Sequence, residues 1–233
     1  MTSRWQAVLF DRDDTLCTTD PGVYTQAGHW AAERFGLDPK HTARRMITHW
    51  QAEAPHWHAI RTPDEEAAYW AAYARGLAGQ LGLTHAEGEA FLSEYPYEAF
   101  LTPVPHAAEV LRGVRARGLR VGVLSNTFPS IDRTLRRTGL ADLVDVPLAT
   151  CTLGVHKPDP RAFTLAAEAL GLPPAAILFL DDLPENVDAA RRVGMAAERV
   201  NVHRPEPGAV HDLRDVLTLI DRNLAAAREV AAC

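Results

Sequence analysis

Apolar positions along the chain follow two rhythms. Ala7-Val8-Leu9-Phe10 is an unbroken apolar run that stops at Asp11, the pattern of a strand buried on both faces whose carboxyl end opens onto a polar crevice. Short apolar or β-branched runs recur at residues 119–124, 143–148 and 176–180, and helix-like stretches separate them. Those stretches, 107–117, 131–138, 160–170 and 186–193, stop at Gly118, Gly139, Gly171 and Gly194, where a left-handed cap closes a helix. Alternating strand and helix signals predict an α/β fold with a doubly wound, parallel, Rossmann-like sheet.

Residues 21–98 break this alternation. They show almost no β pattern and carry Ala, Glu, His and aromatic residues at helical spacing, with breaks near Gly36-Leu37-Asp38-Pro39, Thr62-Pro63-Asp64 and Gly82-Leu83-Thr84. The expected division is an α/β core of residues 1–17 and 100–233, with a small all-helical cap domain of residues 18–99 over the strand tips.

Composition narrows the class. With 47% hydrophobic and 23% charged residues among 233, the chain can bury one sizeable core, so disorder is excluded. No apolar run approaches the roughly 18 residues of a membrane helix, and Met1-Thr2-Ser3-Arg4-Trp5-Gln6 lacks a charged-then-apolar start. The expectation is a cytoplasmic protein with no membrane partner. A net charge of −6 argues against a generally basic, nucleic-acid-binding surface. Cys17, Cys151 and Cys233 are widely spaced and unpaired in pattern, which predicts free thiols rather than disulfides or a cysteine zinc site.

Four polar segments, each at the carboxyl end of a predicted strand, stand out: Asp11-Arg12-Asp13-Asp14-Thr15, Ser125-Asn126, Lys157-Pro158, and Asp181-Asp182 with Asn186 beyond. Ligands of open α/β sheets bind outside the carboxyl ends of the strands, so the segments converge on one crevice. Asp11-x-Asp13-x-Thr15 resembles the first motif of the haloacid dehalogenase superfamily. Ser125, the run Gly154-Val155-His156-Lys157-Pro158-Asp159-Pro160 and the run Phe179-Leu180-Asp181-Asp182-Leu183-Pro184-Glu185-Asn186 match its other motifs in order. The resemblance covers nearly the whole chain.

Crowded carboxylates need a cation, and Asp11, Asp13 and Asp182 offer hard oxygen ligands suited to Mg²⁺. The resemblance implies Asp11 as nucleophile, Asp13 as general acid and base with its backbone carbonyl on the metal, and Lys157 as the cation that neutralises the phosphate. Thr15, Ser125, Asn126 and Lys157 are the candidate phosphate-binding residues, while Asp181 and Asn186 support or coordinate the metal. Dehalogenases of the group lack an aspartate two residues after the nucleophile, and halide departs without an acid. Asp13 therefore favours hydrolysis of a small phosphorylated metabolite through an aspartyl-phosphate. A sugar-phosphate mutase and a non-catalytic binding module are the competing readings.

Two features stay open. Arg12 is unusual between two motif aspartates and points either toward the cap or to acidic neighbours. The predicted cap holds His29, Trp30, His49, Trp50, His56, Trp57, His58, Trp70 and Tyr73. Tryptophans are expected in helix packing and histidines on the solvated surface, with an aromatic substrate pocket as the sharper alternative. His56 and His58, two apart, have the wrong spacing for a helical zinc site.

Overall fold

The structure, a computed structural model, describes residues 4–231. Cys233 and Met1–Ser3, both part of the sequence reading, lie outside the described residues. Strand β1 (Ala7–Phe10) turns through residues 11–16 into β2 (Cys17–Thr19). Four helices follow: α1 (Pro21–Phe35), α2 (Pro39–Glu53), α3 (Pro63–Leu81) and α4 (His85–Glu94). Strand β3 (Leu101–Pro103) then pairs antiparallel with β2, so the two linkers of the helical segment run side by side. The rest alternates: α5 (Ala107–Ala116), β4 (Arg120–Ser125), α6 (Ile131–Arg137), β5 (Val146–Ala149), α7 (Thr150–Leu153), α8 (Pro160–Ala169), β6 (Ile177–Asp181), α9 (Pro184–Arg192), β7 (Ala196–Val200), β8 (Ala209–Val210) and α10 (Asp215–Ala231).

The main sheet has the order β5-β4-β1-β6-β7-β8 with every neighbouring pair parallel. Side chains alternate across β1, so Val8 and Phe10 join one core cluster with Val110, Leu111 and Ile220. Ala7 and Leu9 join the other with Phe163, Ala166 and Ala190. This explains the unbroken apolar run, because both faces of the strand are covered. Chain connections leave β1 toward β4 on one side and β6 on the other, which places Asp11, Ser125 and Asp181 at adjacent strand ends.

Local chemistry sets the helix boundaries in the inserted segment. Asp38 caps α2 by accepting from the His41 N–H at 2.6 Å, ahead of Pro39 at the first helical position. Thr62 with Glu65, and Thr84 with Glu87, form reciprocal capping boxes at the starts of α3 and α4. At Gly28 an added Cβ would stand 2.3 Å from the Pro39 carbonyl oxygen, so only glycine lets α1 approach the start of α2 this closely. Ala27, Met46, Tyr73, Leu77 and Phe91 make this segment's own small core.

Several elements depart from the sequence reading. β5 begins at Val146, because residues 141–143 form a 3₁₀ turn and the Asp145 carboxylate instead accepts from the Val121 N–H at 2.8 Å. Strands β7 and β8 and helix α10 are not singled out by the sequence pattern; β7 places Glu198 and Arg199 mid-strand, which hides it. His49 is buried rather than solvated, with Nε2 3.0 Å from the Tyr73 carbonyl oxygen and Nδ1 3.1 Å from Gln80 Nε2. Among the described residues no helix is long and apolar enough to cross a membrane.

Candidate active site

Asp11 follows β1 and Asp181 ends β6, and Lys157, from the loop before α8, lies between them. Its Nζ donates to Asp11 Oδ1 at 2.5 Å and to Asp181 Oδ2 at 2.6 Å, and all three residues are buried. Burial pulls the ammonium's pKa down, but the two carboxylates outweigh it and hold Lys157 above the usual lysine range. Asp181 is further satisfied by the Leu183 N–H at 2.9 Å and by Asn186 Nδ2 at 2.9 and 3.0 Å. Pro184 starts α9, so Asn186 sits in its first turn and reaches back to the strand end. Asn186 thus braces Asp181.

Asp11, Asp181 and the half-buried Asp182 each offer a carboxylate oxygen, all within 4.8 Å of one another. Burial pushes Asp11 up to about 8, with Asp181 and Asp13 adding to the rise against the pull of Lys157. Asp182 is pushed up to about 6 by burial, then by Asp181 and Asp14. Such a cluster of hard oxygens fits a divalent cation, which would relieve the repulsion that raises both values. Lys157, Leu183 and Asn186 already occupy Asp181, leaving Asp11 and Asp182 the more available carboxylates.

Asp13 stands beside this cluster with its side chain 43% exposed. Arg12, wholly buried, grips it from behind: Nε donates to Asp13 Oδ1 at 3.1 Å and Nη2 to Oδ2 at 2.8 Å. The same guanidinium donates to Thr134 Oγ1 at 2.9 Å and to the Tyr97 hydroxyl at 2.8 Å. Both possibilities left open by the sequence are thus realised together. Asp14 has a φ of 53°, the left-handed region that aspartate tolerates better than most residues, and its Oδ1 lies 2.8 Å from His203 Nε2.

Ser125 Oγ donates to Asp13 Oδ2 at 3.4 Å. Asn126 is committed to the backbone of Lys157: Oδ1 accepts from the Lys157 N–H at 2.9 Å and Nδ2 donates to its carbonyl at 2.9 Å, while Oδ1 also accepts from Thr150 Oγ1 at 2.9 Å. Thr15 is fully buried and its Oγ1 has no hydrogen-bond partner among the described residues.

A cavity of about 260 Å³ opens beside Asp13, between the strand tips and the helical segment. Rings dominate its walls, among them Trp50, Trp57, Trp70, Tyr73, Tyr97 and Phe128. Besides Arg12–Tyr97, further contacts tie the helical segment to the core around it. Buried Glu66 of α3 accepts from the Ser130 N–H at 2.9 Å and from Ser130 Oγ at 2.5 Å, just ahead of α6. Arg61 Nη1 donates to the Cys151 carbonyl at 3.0 Å. His156 Nε2 is 3.0 Å from the His58 carbonyl oxygen.

With this geometry in place, comparison with known proteins is direct: the family model described as haloacid dehalogenase-like hydrolase matches residues 5–194. The chain belongs to the haloacid dehalogenase-like hydrolases. A phosphatase of Mycobacterium tuberculosis is 35% identical over 222 residues, 92% of this chain and 96% of the relative. The phosphoserine phosphatase of Thermus thermophilus is 31% identical over 234 residues, 89% and 94% of the two chains. Among solved structures, the defluorinating L-2-haloacid dehalogenase Rha0230 superposes with a TM-score of 0.67 at 20% identity, covering 95% of this chain and 100% of that one. That last likeness is one of fold.

In this haloacid dehalogenase-like hydrolase, Asp11, Asp13, Ser125, Lys157, Asp181, Asp182 and Asn186 meet at one crevice, as their order along the sheet requires. Sequence reasoning missed Tyr97, Thr134 and the Glu66–Ser130 pair. Only Ser130, a cap-type residue just before the apolar start of α6, left a local signal.

Proposed function

We propose that this hydrolase is a Mg²⁺-dependent phosphatase that cleaves a small-molecule phosphate monoester through an aspartyl-phosphate on Asp11. The observation that carries the reading is Asp13, whose carboxylate stands at the cavity mouth two residues after the buried Asp11. An alkoxide is a poor leaving group and needs a proton, whereas a halide needs none. An acid in that place is useful to a phosphatase and idle in a dehalogenase. The phosphatase names of the two relatives point the same way.

Asp11 attacks phosphorus through its carboxylate, breaking the bond to the ester oxygen as Asp13 delivers a proton to that oxygen. The alcohol leaves toward the cavity. Asp13 then takes a proton from water, which attacks the acyl-phosphate and releases inorganic phosphate, restoring Asp11. Lys157 neutralises phosphate charge, Ser125 and Thr15 donate to phosphate oxygens, and Asn126 holds the Lys157 backbone in place. The carboxylates of Asp11 and Asp182 and the carbonyl of Asp13 would hold Mg²⁺. When bound, the ion supplies the positive charge that lets a phosphate dianion approach these carboxylates. Helices α1–α4 act as the cap that shelters this chemistry from water.

Incubating the protein with Mg²⁺ and a panel of phosphate esters tests the reading through released phosphate. Turnover that vanishes in Asp11→Asn supports it. Halide release from a 2-haloacid with no phosphate release from any ester overturns it.

A further inference from the structure

The cavity beside Asp13 carries a statement about the substrate that rests on the phosphatase reading. Among the described residues its lining contains nine aromatic rings, several aliphatic side chains and two charged residues, Asp13 and Asp14, both acidic. No Lys, Arg or His is among the described residues that line it. Arg12, a buried cation outside the lining, has its hydrogen bonds directed to Asp13, Tyr97 and Thr134.

The rings form one continuous surface. Trp70 lies 4.8 Å from Phe128 and 5.7 Å from Tyr97, the latter pair stacked at 29°. Trp50 lies 5.6 Å from Tyr97, and Trp57 lies 6.1 Å from Phe128. Flat faces at these separations offer a stacking wall for a further ring. An apolar cavity of about 150 Å³ holds one benzene ring, so about 260 Å³ accommodates a single ring with a short linker to the phosphate. A second anionic group on the alcohol would face the half-exposed carboxylates of Asp13 and Asp14 with no cationic side chain among the described lining residues to meet it, which is unfavourable.

We propose that the leaving alcohol of the physiological substrate is uncharged, carries one flat ring and has no carboxylate or second phosphate. Trp50, Trp70 and Phe128 are its specificity-determining residues. The enzyme therefore acts in reaction sequences that consume a neutral ring-bearing alcohol or recycle its phosphate ester.

The test uses two esters of matched leaving ability, benzyl phosphate and 4-carboxybenzyl phosphate, assayed with Mg²⁺. The expected result is a kcat/KM for benzyl phosphate about tenfold or more above that for the carboxylate ester, because like charge with no facing cation opposes the second. In Trp50→Arg the new cation narrows or reverses that ratio. Independently of turnover, benzyl alcohol should quench the tryptophan fluorescence of the wild-type protein saturably, and 4-(hydroxymethyl)benzoate should not. Equal kcat/KM for the two esters, or equal quenching by the two alcohols, overturns the inference and leaves the phosphatase reading standing. No phosphate from either ester, alongside none from the wider panel, removes both.

Discussion

Arg12 donates two hydrogen bonds to the carboxylate of Asp13, its immediate neighbour in the chain, from Nε at 3.1 Å and Nη2 at 2.8 Å. The guanidinium is anchored by Thr134 and Tyr97 as well. The fork fixes the plane in which Asp13 presents its oxygens to the cavity. Arg12→Met should therefore lower kcat for alkyl phosphates by about tenfold to a hundredfold, within the range that general acid catalysis contributes. Aryl phosphates, whose leaving groups need little protonation, should lose much less. A uniform loss on both ester classes, measured with the melting temperature of the variant in hand, would mean that Arg12 serves the fold alone.

The division of labour between Asp11 and Asp13 is open to a direct test. Asp11→Asn should abolish turnover and the hydroxylamine-sensitive phosphoryl adduct, because an amide cannot replace the attacking carboxylate. Asp13→Asn should still release a burst of aryl alcohol from an aryl phosphate, followed by slow turnover, since the adduct then waits for a water that lacks its base. Mapping the trapped phosphate to Asp13 instead of Asp11 would reverse the assignment.

Physical reasons separate what is legible in the sequence from what is not. Asp11 stands out because a strand covered on both faces must be apolar until it leaves the sheet, and Ala7–Phe10 obeys that rule. Helix starts at Pro39, Pro63 and His85 are equally visible, since capping chemistry acts over three or four residues. Arg12 is illegible for the opposite reason: its partners Tyr97 and Thr134 are 85 and 122 positions away. Asn126 reads as a phosphate donor by position, yet both ends of its amide are used on Lys157, 31 residues on. His49 reads as a surface residue until Gly76, Tyr73 and Gln80 close around it, an outcome of how α2 packs on α3.

Glu66 couples the helical segment to the core by accepting from both the backbone N–H and the hydroxyl of Ser130 at the entry to α6. It also accepts from Trp70 Nε1 at 3.2 Å, and Trp70 is a wall of the cavity. Glu66→Ala leaves buried donors without their acceptor, at a cost of about 1–3 kcal/mol, which corresponds to a drop in melting temperature of about 2–12 °C for a chain of this size. The same change frees Trp70 and should raise KM more than it lowers kcat. A variant with wild-type KM would show that the α3 to α6 contact has no bearing on the cavity.

Two raised carboxyls in one cluster link metal binding, stability and pH. Asp11 is pushed from an ordinary 3.8 to about 8, and Asp182 from 3.8 to about 6, in each case mainly by burial. An acid whose folded-state pKa is raised destabilises the fold above its unfolded value, and the penalty grows until pH passes the folded value. The metal-free protein should therefore lose stability through these groups between about pH 4 and pH 8. Protons and Mg²⁺ compete for the same oxygens, so Mg²⁺ affinity should rise over the same window. Thermal melts with Mg²⁺ and with chelator at pH 6 and pH 8 read both effects: stabilisation by the ion should be larger at pH 8, and phosphatase activity should disappear in chelator at either pH. Asp182→Ala should abolish the Mg²⁺-induced shift. Asp181→Ala should chiefly lower the melting temperature, because it leaves Lys157 and Asn186 without their shared acceptor. A shift of equal size at both pH values would place the cation away from Asp11 and Asp182.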